Sequence, residues 1–431
     1  FAAAQSVVIS LWQHVCAARF SLDPASMTFV ISAIAGFAAA QSVVISLWQH
    51  VCAARFSLDP ASPAPDPGTP APTFTLLKPL KGMSPEILGS LESWLVQEYP
   101  GRVEYLFGVA SAEDPAFSAV TELLSRHPGC DARVVVCPPN GASNPKVSTL
   151  IQLSALATSE VVLVSDADVR APRELLRHVA ATLRQPGVGL AHCLYRLAKP
   201  SGLAMRLESI GVNADFWAQV TQARSLGMVD FALGAVMGLR REVLQEIGGF
   251  QRIAHYLADD YQLGNLVSRT GRKIELCQTT VACFSRPSGW AEVWHHQLRW
   301  TRTVRICKPG PFLMSITGNS TLWPLLWVLT QRGSPLALGL FITWMLLRVA
   351  LAHLRVMKLA GGSGERSDAW LAPVQDLFQA TLWAAAQVGN HVTWQGRTYR
   401  VRSGGRMEPV GGAVEARPRG VERMETARSD S

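Results

Sequence analysis

Hydrophobic and polar positions divide the chain into three stretches. From 27 to 54 no charged residue interrupts a run of apolar and small side chains. A bilayer core takes about 20 helical residues, so this run predicts one membrane-crossing helix. Between 73 and 310, short apolar runs alternate with helix-period patterns. FTLLK, VEYLFGVA, ARVVVC and EVVLVSD predict buried strands. PEILGSLESWLVQEY, AFSAVTELLSRH, PKVSTLIQLSAL and ELLRHVAATLRQ predict the helices between them, the first with Ser84 as N-cap and Pro85 at its first position. Beyond 310 the chain turns apolar again. Residues 311–330 and 335–354 are each long enough to span, and a loop from Gln331 to Ser334 would make them a hairpin. The apolar stretch 370–388 contains Gln375 and Asp376 and is followed by the basic TWQGRTYRVRSGGR. A full crossing would carry those charges to the far side, so an interfacial or re-entrant helix is expected. Residues 404–431, rich in Gly, Arg and Glu without apolar periodicity, predict a disordered tail.

Strand–helix alternation predicts an α/β domain over 73–310, its mostly parallel sheet covered on both faces. Ligands of such sheets bind beyond the carboxyl ends of the strands. No GxGxxG, and no GxxxxGK followed by Ser or Thr, occurs at a strand end, so dinucleotide and P-loop readings lose their main support. Residues 1–26 recur letter for letter at 37–62. Real repeats drift and stack in arrays, so a duplicated or mis-started segment is expected, with Met27 as the natural first residue; a genuine second helix is the alternative. No basic n-region and no A-x-A site mark 27–54 as a cleavable signal. Residues 60–72 (PASPAPDPGTPAP) predict a stiff extended spacer. Arg55 after the first helix, and Arg305, Lys308, Arg355 and Lys358 around the hairpin, place those flanks and the domain between them in the cytoplasm. Arg348 lies inside the second hairpin helix, where snorkelling is the plainer expectation and a protein-facing partner the other.

Composition narrows the class. The chain has 431 residues, 48% hydrophobic and 17% charged, with net charge +8 and a mean hydropathy of +0.16. It is too apolar for disorder and too poor in charge for an ordinary soluble domain. The 13 Trp, clustered in apolar stretches, suit membrane interfaces. The eight Cys show no CxxC pair and no metal-ligand spacing, which predicts reduced, buried thiols and argues against a disulfide-built secreted protein. An integral membrane protein with no nucleic-acid partner is expected.

Three acidic sites fall where this geometry wants chemistry. Glu113 and Asp114 sit in the loop after one strand. Asp166 and Asp168 follow VVLVS; residues i and i+2 of an extended segment face the same way, so both carboxylates can approach one divalent cation, with a diphosphate completing its oxygen shell. A pair of solvated turn residues is the plain alternative. Asp259 and Asp260 open an apparent helix, where a helix dipole alone would favour them. In HHQLRWTRTVR, Arg299, Arg302 and Arg305 lie three apart and share a helix face beside Trp300; contact with anionic lipid would explain them equally. Lys78, Lys81 and Lys146 could assist at a nucleotide or be solvated loop lysines.

KPLKG (78–82), EDPA (113–116), NPKV (144–147), SDAD (165–168), GGF (248–250), LADDYQLG (257–264) and HQLRW (296–300) occur in one order. That ordered set resembles the ceramide glucosyltransferases and the related bacterial glycosyltransferases of hopanoid lipid synthesis. The resemblance covers about 74–310, the terminal membrane segments and the WQGRTYRV ending. It implies a GT-A catalytic fold and inverting transfer from a UDP-sugar. By the resemblance, Asp114 holds the nucleotide, Asp166 with Asp168 forms the DxD that binds Mg²⁺ or Mn²⁺, and Asp260 is the general base, with Asp259 before it as the rival. Arg299 and Trp300 end the (Q/R)xxRW motif. Its first position is His296 here, a departure, with Gln297 adjacent.

The chemistry is coherent without the family. Inverting transfer needs a carboxylate to take the acceptor hydroxyl's proton and positive charge on the leaving diphosphate, which Arg299 and a cation on Asp166 and Asp168 can supply. The expected partners are a UDP-sugar donor, a membrane lipid acceptor and the bilayer, in the bacterial inner membrane. A processive polysaccharide synthase is the enzymatic alternative, and a membrane scaffold with a nucleotide-binding domain the non-enzymatic one.

Overall fold

Apolar residues alternate along the central strands so that one sheet buries both of its faces. In a computed structural model the described residues are 24–58, 70–361, 367–394 and 397–410. The duplicated stretch up to residue 23, most of the Pro-rich spacer and residues 411–431 of the expected tail lie outside them. A helix, α1 (Pro24–Arg55), precedes the sheet domain. There follow β1 (Phe74–Pro79), α2 (Pro85–Leu95), β2 (Val103–Val109), α3 (Pro115–Ser125), β3 (Asp131–Val136), α4 (Pro145–Leu156), β4 (Val161–Ser165), β5 (Val169–Arg170), α5 (Leu175–Arg184) and β6 (Val188–Leu197). Next come α6 (Gly202–Ile210), a π-turn (Gly211–Phe216), α7 (Trp217–Ser225), β7 (Val236–Arg240), α8 (Arg241–Glu246), α9 (Asp259–Arg269), β8 (Lys273–Cys283) and α10 (Trp290–Cys307). The chain continues through α11 (Pro309–Ser315), α12 (Leu322–Thr330), α13 (Pro335–Leu359) and α14 (Ala372–Ala386). The last described elements are β9 (His391–Trp394), β10 (Arg397–Val401) and β11 (Met407–Pro409).

The sheet order is β3-β2-β1-β4-β7-β6-β8-β5. β1 pairs in parallel with β2 and β4, and β6 in parallel with β8, while β7 and β5 run antiparallel to their neighbours. Leu76, Phe107 and Leu163 point to one face, against Trp94, Val120, Leu175 and Val179 of the helices there. Leu77, Leu106 and Val162 point to the other, against Val147, Leu150, Val243, Leu263 and Val267. The first four expected strands and their helices all form, and Ser84 caps α2 by accepting from Ile87 N–H. The long strands β6 and β8 complete the sheet beyond what the pattern named.

Among the described residues two helices, Met27–Arg55 and Pro335–Leu359, are long and apolar enough to cross a membrane. Large apolar side chains such as Phe29, Phe37, Leu336 and Leu346 stay exposed along them, a surface that water does not favour. The stretch expected as one straight helix over 311–330 is instead a pair, Pro309–Gly318 and Leu322–Thr330, bent by 53°. Asp376 of α14 accounts for the break. Its carboxylate accepts from Thr321 Oγ1 (2.7 Å) and its carbonyl from Asn319 Nδ2 (2.6 Å), so the chain turns to meet it.

Arg348 does not snorkel. It is 1% exposed and pairs with Asp376 and with Asp215 of the π-turn, each at 2.8 Å. Arg355 reaches the same Asp215 (3.1 Å) and donates to Ser46 O of α1 (2.6 Å). Four elements distant in sequence thus share one buried ionic cluster. The segment expected as a disordered tail also folds in part. β11 pairs with β10, and Val392, Tyr399, Val401 and Met407 pack on Leu257, because the basic residues between them point outward and leave an alternating apolar face.

Breaking a buried ion pair by removing one partner typically costs about 3–5 kcal/mol. Arg348→Ala should therefore lower the melting temperature in detergent micelles strongly, whereas Arg102→Ala, which breaks an exposed pair with Asp131, should leave it almost unchanged. Equal shifts would contradict the role given to the cluster.

Candidate active site

β4 is buried along its whole length and stops at Ser165, so Asp166 is the first side chain there that can turn outward. Asp166 N–H donates to Ala235 O (3.4 Å), and Asp168 O accepts from Phe284 N–H (3.0 Å). These contacts fix the turn that carries both carboxylates. α4 starts at Asn144, whose side chain accepts from Val147 N–H, with Pro145 at its first position; Lys146 then stands at the same edge. α9 opens directly on Asp259 and Asp260, where the helix N-terminus favours negative charge. Lys146 Nζ lies 2.7 Å from Asp166 Oδ1 and 2.8 Å from Asp259 Oδ2, joining two of the acidic sites.

Asp260 points elsewhere. Its Oδ1 accepts from Tyr261 N–H (2.7 Å), and Gly234 makes room for it, since a Cβ there would lie 3.0 Å from Oδ2. Gly264, one turn along α9, permits close approach to the same loop, because a Cβ would come within 2.4 Å of Ala232 N. His192, fully buried, accepts from Leu233 N–H at Nδ1 (2.9 Å); burial pushes it down to about 3, so it stays neutral and keeps that acceptor.

These groups open onto a cavity of about 1200 Å³ lined by Asp114, Lys146, Asp166, Asp168, Asp259, Asp260, His296, Arg299 and Trp300. Gln297, expected at the substrate, is not among the lining residues. It is buried, and its amide donates to Glu208 Oε1 of α6 (2.7 Å). His296 contacts the same oxygen through Nδ1 (2.7 Å) and packs on Trp300 with ring centroids 4.4 Å apart. Position 296 rather than 297 therefore faces the cavity. Asp114 lies at its edge with a shaping role: its carboxylate accepts from Gly82 N–H (2.9 Å) and Ala116 N–H (2.9 Å), tying the KPLKG loop to the start of α3. Lys78 is neither a solvated loop residue nor a cavity residue. Fully buried, it donates to Asp166 O (2.6 Å) from beneath.

Electrostatics separate the acids. Burial, then the Asp259 carboxylate, push Asp260 up to about 6 against the pull of Lys146. Burial, then Asp166, push Asp168 up to about 6 against Lys78. Burial pulls Lys146 down, but Asp166 and Asp259 together hold it above the ordinary lysine range. Burial pulls Arg299 below its usual range while Asp260, Asp166 and Asp259 hold it up, and among the described residues it has no ion-pair partner. Asp166 and Asp168 fit a divalent cation: the Asp166 carboxylate raises the proton affinity of Asp168, and a positive charge shared between the two would relieve that repulsion. No third His, Cys, Asp or Glu joins them among the described residues, which leaves the remaining ligand positions to oxygens from water or a diphosphate.

Glu208, His192, the Asp230–Lys308 pair (2.5 Å) and the cavity-lining Trp394, Arg397 and Tyr399 were not expected at the site from the sequence. Lys308 was marked only as a basic flank of the hairpin, and Trp394, Arg397 and Tyr399 only as part of the WQGRTYRV ending; none of these residues has a local spacing that ties it to the acidic motifs.

The chain belongs to glycosyl transferase family 21, whose model matches residues 34–407. Ceramide glucosyltransferase 1 of Caenorhabditis elegans is 25% identical over 248 residues, covering 53% of this chain and 51% of the relative. The ceramide glucosyltransferase of Candida albicans is 28% identical over 120 residues, covering 25% of this chain and 22% of the relative. The chain thus spans about half the length, or less, of the curated relatives it matches. Among solved structures, the mannosyltransferase PcManGT from Pyrobaculum calidifontis, in complex with GDP-Man and Mn²⁺, aligns with TM-score 0.49 and 20% identity over 83% of this chain and 97% of its own. S. aureus TarS 1–349, in complex with UDP-GlcNAc, aligns with TM-score 0.37 and 15% identity over 79% of this chain and 99% of its own. With the family established, the α/β sheet domain is the GT-A domain expected, flanked by apolar helices.

Leaving a buried polar group without its partner costs about 1–3 kcal/mol. Glu208→Ala should therefore lower the melting temperature and reduce activity through His296 and Trp300, while Glu113→Ala, at an exposed position, should change neither. A Glu208→Ala protein that melts with the wild type would show that the contact holds nothing in place.

Proposed function

We propose that the chain transfers one hexose from a UDP-sugar to the hydroxyl of a membrane lipid, ceramide-like or hopanoid, with inversion at the anomeric carbon. The observation that carries this reading is the convergence of Asp260, the Asp166–Asp168 pair and the unpaired Arg299 on one cavity. The apolar helices beside the domain suit an acceptor that stays in the bilayer, and the reading places the domain on the cytoplasmic face.

In the proposed reaction the acceptor oxygen attacks the anomeric carbon opposite the diphosphate. The bond from that carbon to the β-phosphate oxygen breaks, and its electron pair leaves with UDP. Asp260 takes the hydroxyl proton, a role that suits a carboxylate raised toward the working pH. Asp259, held by Lys146, is not free for it. Arg299 meets the charge that grows on the departing diphosphate. A Mg²⁺ or Mn²⁺ ion held by Asp166 and Asp168 would supply further positive charge to that diphosphate. Trp300, fixed by His296, forms the wall beside the reacting groups.

Membranes bearing the protein, incubated with labelled UDP-glucose or UDP-N-acetylglucosamine, should yield a lipid heavier by one sugar in mass analysis. Absence of labelled lipid with either donor, or a ladder of longer products, would overturn the reading. Asp260→Asn should lower transfer by roughly 10²- to 10⁴-fold with donor binding kept. Because Asp260 must be unprotonated to accept a proton, and its value is raised to about 6, kcat/KM should be full above that pH and fall as pH drops through it. An acid limb that persists unchanged in Asp260→Asn would assign the titration to another group. Excess chelator should abolish transfer, and undiminished turnover in chelator would remove the metal from the reading.

A further inference from the structure

The small C-terminal sheet does more than close the chain. Trp394 and Arg397, from adjoining strands, line the same cavity as Asp260. The sheet is fastened on the side of the base: Leu257 N–H donates to Gly405 O (3.0 Å), and Met407 N–H to His255 O (2.8 Å). Gln262 Nε2 of α9 donates to Gly404 O (2.7 Å). From α10, Arg302 donates to the carbonyls of His391 (2.8 Å) and Val388 (3.0 Å). Below these bonds, Ile306 of α10 packs into the apolar core of the sheet beside Leu257. The sheet therefore rides on two elements, the segment that leads into Asp259 and Asp260 and the part of α10 that leads into the bent apolar pair. The DxD turn and Asp114 are held by other contacts, from β1, α4 and β7.

Arg397 is exposed on the cavity wall and has no ion-pair partner among the described residues, whereas nearby Lys308 is spent on Asp230. A guanidinium offers five N–H donors and no acceptor, so its ligand must bring acceptor oxygens. Trp394 offers a flat apolar face with a polar edge, suited to the carbon-bound face of a hydroxyl- or amide-bearing group. We propose that Trp394 and Arg397 form the subsite for the acceptor's polar headgroup, and that the C-terminal sheet is the element that selects the lipid. This rests on the transfer reading given above and adds to it where the acceptor is recognised.

The test compares wild type, Arg397→Ala and Trp394→Ala in detergent micelles, with short-chain ceramide and a hopanoid polyol as acceptors and UDP-glucose and UDP-N-acetylglucosamine as donors. UDP affinity is measured separately by calorimetry. Loss of one hydrogen bond from a charged donor should raise the KM of the acceptor that the wild type uses by roughly 10- to 100-fold. The donor KM and UDP affinity should stay at wild-type values. Arg397 is exposed, so its variant should melt with the wild type and report on binding alone, even if Trp394→Ala unsettles the sheet. A rise in donor KM, or an unchanged acceptor KM in Arg397→Ala, overturns the subsite while leaving the transfer reading intact. A wild-type protein that glycosylates neither acceptor removes the transfer reading, and the subsite with it.

Discussion

The ammonium of Lys146 stands between two carboxylates that would otherwise repel, and the arrangement of the site follows from it. Asp166 comes from the end of β4 and Asp259 from the start of α9. The two segments lie far apart in the chain, yet both place a negative charge at the same sheet edge. Lys146, set at the first turn of α4 by the Asn144 cap, pairs with both and offsets part of their charge. Asp259 is held in that pair, while its neighbour Asp260, which lines the same cavity, has its charge disfavoured by burial and by Asp259 beside it. Consecutive residues on a helix differ in direction by about 100°, and that rotation sets the two carboxylates in different surroundings, one paired with Lys146 and the other beside Gly234.

The same rotation explains what could and could not be read from the sequence. Asp166 and Asp168 were legible because a fully apolar strand runs straight into them, and a strand end in an α/β sheet is where a ligand sits. Arg299 and Trp300 were legible through their place in an ordered set of motifs. Choosing between His296 and Gln297 was not, since both lie in the motif and only the partner helix decides which points inward. That partner, Glu208, carries no motif of its own. Lys78 shows the limit from the other side: a lysine in a motif reads as a contact for ligand, yet it is enclosed under the turn it supports.

Among the membrane-associated segments, hydropathy located the apolar helices and missed what joins them. Arg348 looks isolated along α13, because Asp215 and Asp376 lie in stretches that hydropathy treats separately. Only the packed chain brings them within 3 Å. Asp376 then serves twice, as partner of Arg348 and as the acceptor that draws Thr321 and Asn319 into the break between α11 and α12. The C-terminal strands were hidden for a related reason: an alternating face of four apolar residues is too short to register against so many arginines, and it becomes a core only when Leu257 is laid on it.

The π-turn between α6 and α7 joins these two halves of the molecule. Its extra residue per turn is rare in helices and tends to sit at functional places. Here Asp215 binds both arginines of α13, while Phe216, the next residue, lines the cavity that holds the acidic motifs. A helix as long as α13 adjusts to a bilayer of different hydrocarbon thickness by tilting. A tilt of α13 would carry Arg348 and Arg355 with it and would act on Asp215, the carboxylate they share beside the cavity wall. A change in membrane thickness would in that case load the cavity wall mechanically, separately from any chemical recognition of a lipid.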